Sequence, residues 1–113
     1  EIGSGTGLVV HDIPEVMPTF PGGEEALFRY LKRNLKYPKI ALNEGREATV
    51  YVAFVVLPDG SIGSISMKNH NGFGFEEEVA RVVKNMPEWT AGTIDSKPVA
   101  VRFNMPVRFT LGR

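Results

Sequence analysis

From Val99 to Leu111 apolar and polar residues alternate without a break, and Pro106 falls inside the run. Val99, Val101, Phe103, Met105, Val107, Phe109 and Leu111 take one parity; Ala100, Arg102, Asn104, Pro106, Arg108 and Thr110 take the other. Period-two alternation marks a β-strand with one buried face. Proline has no N–H to give to a ladder and is confined to sheet edges and bulges. Together these predict that the last strand is an edge, at least around Pro106. Successive strand residues direct their backbone groups to opposite sides. If the missing N–H of Pro106 faces outward, Arg102, Asn104 and Arg108 direct theirs to the free edge and the odd residues pair inward. Such an edge is either a guarded liability or a rail on which another strand docks. The residues alone leave both open.

The rest of the chain supplies a sheet and a helical layer. Ala48 to Leu57 is apolar on both parities, as in a central, covered strand. Pro58-Asp59-Gly60 is a turn signal, and the polar stretch Ser61 to Asn69 is its hairpin partner at the other edge. Glu24 to Leu35 reads as a helix whose stripe is Leu27, Phe28, Leu31, Asn34 and Leu35, with acids at its start and Lys36 at its end. Tyr37-Pro38 must break it. Pro38 can open a second, shorter helix, Lys39 to Asn43, closed by Gly45 in the left-handed conformation. Phe75, Val79, Val82, Val83 and Met86 give another amphipathic helix, which Pro87 ends. Ile13 to Gly23, with three prolines, should run extended over the surface, Leu8 to Val10 is a candidate short strand, and Thr90 to Lys97 reads as a loop. The fold class expected is α+β: a two-layer sandwich of a three-stranded antiparallel sheet, order two-one-three, with two main helices on one face.

Composition removes several functions. At 113 residues and 42% apolar content the chain is one domain with one core. Its 13 basic and 13 acidic residues cancel, which argues against nucleic-acid binding. It has no cysteine, and its longest apolar run, Val50 to Leu57, is far too short to span a bilayer. His11 and His70 stand far apart in Gly- and Pro-flanked stretches and read as loop residues. The triplet Glu76-Glu77-Glu78 looks like an acidic metal patch, but acids in a helix's first turn are explained by the helix dipole. Pro21-Gly22-Gly23 precedes a helix without the lysine or glycine spacing of a phosphate loop. No Ser/His/Asp set can be assembled. The expectation is a non-enzymatic protein without metal or cofactor. Trp89 and Tyr37 read as core or corner aromatics, with the Tyr37-Pro38 corner projecting a ring at a fixed angle.

Four stretches carry a resemblance: MPTFPGGEEALFRYLKRNLKYP, VYVAFVVLPDGSI, FEEEVARVVKNMPEW and KPVAVRFNMPVRFTL, in that order from about residue 13 to 111. The chain resembles the TonB C-terminal domain, in the variant whose first helix is opened by PGG. The resemblance implies a domain at residues 13–113 behind a linker end at 1–12. It implies a periplasmic location, with an inner-membrane anchor in a missing N-terminal part, since the chain opens at Glu1 without an initiator Met. The implied partners are ExbB and ExbD, through that part, and the TonB box of TonB-dependent outer-membrane transporters for siderophores, vitamins or glycans. The box is expected to bind by β-augmentation at the last strand, along Arg102, Asn104, Met105, Pro106, Val107 and Arg108. Tyr37 and Pro38 match the Tyr-Pro of a motif near the box, although Leu35-Lys36 replace the Gln-Pro that precedes it in the best-known members. Two alternatives belong to other classes: a sensing module of a membrane-embedded metallopeptidase, and a peptidoglycan-holding module using Tyr37, Phe73 or Trp89. A free strand edge also permits a homodimer.

Overall fold

The computed structural model describes residues 9–112. The Gly- and Ser-rich stretch Glu1 to Gly7, and Leu8 of the candidate first strand, lie outside them. The elements are β1 (Val10–His11), α1 (Glu24–Asn34), α2 (Lys39–Asn43), β2 (Ala48–Val56), β3 (Ile62–Met67), α3 (Phe75–Lys84), β4 (Gly92–Ile94) and β5 (Lys97–Phe109).

β2 and β5 pair antiparallel over nine residues, from Ala48↔Phe109 to Val56↔Val101. On the helix side of that ladder Val50, Val52, Phe54 and Val56 join Met105, Val107 and Phe109. Against them pack Leu27 and Leu31 of α1, Ala41 of α2, and Phe75, Val79, Val82 and Val83 of α3, all in one core. The helices therefore share one face of the sheet, as expected. On the other face Tyr51, Asn104, Pro106 and Arg108 are exposed. β3 closes the far edge of the sheet beside β2.

The sheet is larger than the three strands expected. The order is β1-β5-β2-β3, which contains the anticipated succession and adds β1, parallel to β5 at Val10↔Ala100 and His11↔Val101. β4 pairs with the start of β5, where Thr90 to Lys97 had read as a loop. Asp95 and Ser96 join them with positive φ at both residues (52° and 64°), the backbone of a two-residue hairpin turn. The favoured Asn-Gly signature is absent there, which hid the hairpin. Ile13 to Gly23 is extended, but it does not merely cross the surface. Val16 and Thr19 exchange backbone hydrogen bonds with Thr93 and Thr90 at 2.8–3.1 Å, and Pro14, Pro18 and Phe20 are buried. Gly92 lets these strands meet, because a Cβ there would lie 2.8 Å from both the Val16 carbonyl and Val101 Cγ2. Leu111, expected inward at the strand's end, lies beyond β5, and its N–H donates to Glu47 Oε2 at 2.8 Å.

The helical layer is locked by polar contacts that apolar periodicity does not reveal. Tyr30 Oη donates to the Val82 carbonyl at 2.9 Å. Arg81 Nη2 donates to the Asn34 carbonyl at 3.0 Å, placing a cation where helix α1 ends. Glu78 accepts from the Lys36 N–H at 2.7 Å and from Arg81. Glu76 turns back to accept from the Asn71 and Gly72 N–H groups. The two carboxylates of the acidic triplet thus serve different loops. The hydrogen bond from Arg81 holds the Glu78 carboxyl below its ordinary value of 4.5, against burial that raises it and with further help from Lys36.

The Glu78 contacts and the close approach at Gly60 each imply a measurable loss of stability on substitution. Glu78 stabilises the fold above its unfolded pKa, and that stability is lost as pH falls through the lower folded value. Glu78→Gln should therefore cost about 1 kcal/mol near neutrality. Its deficit in urea unfolding should shrink as the pH is lowered from about 5 to 3; a deficit independent of pH would contradict the assignment. The second concerns Gly60, which has φ +88°, and where a Cβ would stand 2.1 Å from the Trp89 carbonyl oxygen. Gly60→Ala should lose at least about 2 kcal/mol in the same measurement.

Candidate peptide-binding edge

The orientation of β5 can be read from Tyr51. Its carbonyl accepts from the Lys68 N–H at 2.7 Å, and its N–H donates to Asn69 Oδ1 at 2.9 Å. Both backbone groups of Tyr51 thus face β3, leaving none for Pro106, its partner across the ladder. Pro106 therefore sits at a pair that exchanges no hydrogen bonds, and its missing N–H takes nothing from the β2–β5 ladder. The odd residues Phe103, Met105 and Val107 bond inward to β2. The even residues direct their backbone groups away from it.

The outer side of β5 is divided in two. At Ala100 and Val101 it is occupied by β1. Just beyond, Arg102 Nη1 meets Asp12 Oδ1 at 2.6 Å in an exposed ion pair, so Arg102 lies against the N-terminal segment rather than on open edge. From Asn104 to Arg108 no strand covers β5 among the described residues. Asn104 and Arg108 each offer an N–H and a carbonyl there, and Pro106 offers a carbonyl alone. These five residues, four steps of strand, span roughly 13 Å, enough for a short peptide to pair.

Of the residues singled out from the sequence, the structure aligns Asn104, Met105, Pro106, Val107 and Arg108 along this stretch, with Met105 and Val107 buried in the core. Tyr37 and Pro38 are elsewhere. The Tyr37 ring makes edge contacts with Phe75 and Phe109, at centroid distances of 5.9 and 5.7 Å, and its hydroxyl donates to the Arg46 carbonyl. Desolvation, and then the charge of Glu47, hold that hydroxyl above its ordinary pKa. Tyr37 is thus fastened at the C-terminal end of β5, and Pro38 lies under Gly74. Phe73 is partly exposed with Arg46 above its ring at 5.0 Å, and Trp89 is buried.

Sequence reasoning missed a cavity. Beside the open stretch of β5 lies a hollow of about 460 Å³, walled by Phe103 to Pro106, by Pro18 to Phe20, and by Glu24, Leu27 and Phe28 of α1, with Trp89 among its lining residues. Phe28, expected in the buried stripe of α1, is instead 58% exposed at this hollow. The clue lay in that stripe, which is wider than the single face α1 buries.

A family model described as Gram-negative bacterial TonB protein C-terminal matches residues 33–111. The chain belongs to the TonB C-terminal domain family. No curated protein matches it. The TonB family is one of non-enzymatic, periplasmic energy-transducer domains that interact with outer-membrane transporters. No helix among the described residues is long and apolar enough to cross a membrane.

The parity of β5 makes a direct prediction for this TonB-type domain. In native-state hydrogen exchange the Asn104 and Arg108 amides should exchange orders of magnitude faster than those of Phe103, Met105 and Val107. Uniform protection along β5 would mean that the outer edge is not open.

Proposed function

We propose that this domain captures the TonB box of an outer-membrane transporter as an added strand on β5 and passes to it force derived from the inner-membrane proton gradient. The observation that carries this reading is the outer backbone from Asn104 to Arg108, which no strand covers among the described residues, in a chain of the TonB family. β-Augmentation needs an edge whose donors and acceptors repeat at strand spacing, and main-chain hydrogen bonds then supply the affinity. Pro106 deletes one donor, which spares the edge from indiscriminate pairing and limits the box to the remaining groups. Affinity is modest, because a short disordered segment is ordered on binding. Arg102, paired with Asp12, stands before the open stretch, and Tyr37, packed on Phe109, stands beyond its other end.

The same geometry suits tension. ExbB and ExbD act through the protein's membrane-anchored N-terminal part, so force arrives at β1, which is bonded to the outer side of β5 and backed by the Asp12–Arg102 pair. The peptide lies farther along the same strand. Load passes along β5, whose nine-residue ladder with β2 shares it among many hydrogen bonds.

A parity test separates this edge from a general contact. Asn104→Pro removes an outward N–H and leaves the ladder to β2 intact. It should leave the thermal midpoint within a few degrees and weaken binding of a TonB-box peptide about tenfold, roughly one hydrogen bond's worth. Met105→Pro breaks the ladder and should unfold the domain. Unchanged peptide affinity in Asn104→Pro, by calorimetry, would remove the edge as the binding site.

A further inference from the structure

The hollow beside β5 faces the helical side of the sheet, and its place relative to the edge defines what it can hold. A strand added to β5 lies about 4.8 Å beyond it, and its side chains alternate between the two faces of the sheet. Residues in register with Asn104, Pro106 and Arg108 project onto the open face, where those three side chains are exposed. Residues in register with Phe103 and Met105 project to the helical face, where the hollow is. Its lining there is predominantly carbon: Phe20, Leu27, Phe28, Trp89, Phe103 and Met105. Asn104 and Pro106, whose backbone forms the open edge, line it too, so backbone pairing and the hollow form one continuous surface. At about 460 Å³ it falls in the usual range for a ligand site. Glu24 is the one charged residue among those that line it.

We propose that this hollow is the side-chain-reading half of the peptide site, taking apolar residues at every second position of a strand added to β5. The inference rests on the edge reading above and adds selectivity to it, since an edge alone binds backbone and is indifferent to sequence. Two features give the hollow a character of its own. Its far wall, residues 18–28, lies N-terminal to the family-matched span. Trp89 Nε1 is the one buried side-chain polar atom without a hydrogen-bond partner among the described residues, and Trp89 itself is among the residues that line the hollow. Phe28 remains exposed on α1, at a place where an incoming aliphatic side chain would cover it.

The experiment uses two acetylated heptapeptides, each flanked by lysine for solubility. One alternates Val and Thr; in the other every Val is Thr. Thr keeps the β-branched shape that favours a strand, so the pair differs in apolarity and little else. Trp89 is the sole tryptophan, and its fluorescence reports directly on the hollow. The alternating peptide should bind roughly tenfold tighter, since burying a hydroxyl unpaired is unfavourable, and should alone shift the Trp89 emission. Phe28→Ser should abolish the difference while leaving protection of the Asn104 and Arg108 amides by the peptide in place. If both peptides protect those amides and bind within about twofold of each other, the hollow does not read side chains, and the edge reading stands without it. If neither protects them, both readings fall together.

Discussion

The register between β2 and β5 is the constraint on which the other features depend. Side chains alternate with a period of two, so a slip of one residue would turn Phe103, Met105 and Val107 to water. It would also bring Arg102, Asn104 and Arg108 against the helices. The slip would direct the missing N–H of Pro106 into the ladder, where it would remove a bond. Apolar burial and proline chemistry therefore select the same register, in which Tyr51 stands opposite Pro106. Once that register is set, the donors of Asn104 and Arg108 have no direction but outward. The open edge is a consequence of how the core is built.

A second constraint holds the wall facing that edge. Trp89 stacks edge-on with Phe20, Phe54 and Phe103 at centroid distances of 5.7, 5.5 and 4.9 Å, which ties the N-terminal segment, β2 and β5 together. Its position is fixed from behind: the Trp89 N–H donates to the Gly60 carbonyl at 2.8 Å, an approach that only a glycine in the left-handed region allows. The turn after β2 thus acts at a distance on the hollow beside β5. The contacts among Tyr30, Glu78, Arg81 and Asn34 fix α1 on α3 in the same way, and α1 carries Phe28 and Leu27 to the rim.

Much of this could be read from the residues alone. Apolar patterning gave α1, α3, β2 and β5, nearly to their ends, because each buries residues whose spacing is written in the chain, while Pro38 with Gly45 marked α2 and the Pro58-Asp59-Gly60 turn marked β3 as the hairpin partner of β2. Pro106 marked the edge because proline's chemistry allows few alternatives. What escaped has common physical causes. Leu8 to Val10 marks a candidate short strand near β1, but its parallel pairing with β5 could not be read, because two residues carry no pattern that selects a partner. β4 was hidden because Asp95-Ser96 adopts positive φ without glycine. The hollow is assembled from stretches some 80 residues apart, and no one-dimensional pattern records such a meeting. Phe28 was placed correctly on its helix and wrongly in the core, since a helical stripe does not say where its covering ends.

The central proposal is that a transporter's TonB box is held as an additional strand against Asn104, Pro106 and Arg108; the family match and the outward parity of β5 support it. Interstrand nuclear Overhauser contacts between a bound TonB-box peptide and this domain examine that claim most directly. The account predicts close contacts from peptide backbone protons to the Asn104 and Arg108 amides and to the neighbouring α-protons of β5. Contacts confined to α2, to the outer side of β3 or to the loop around Phe73 would contradict it.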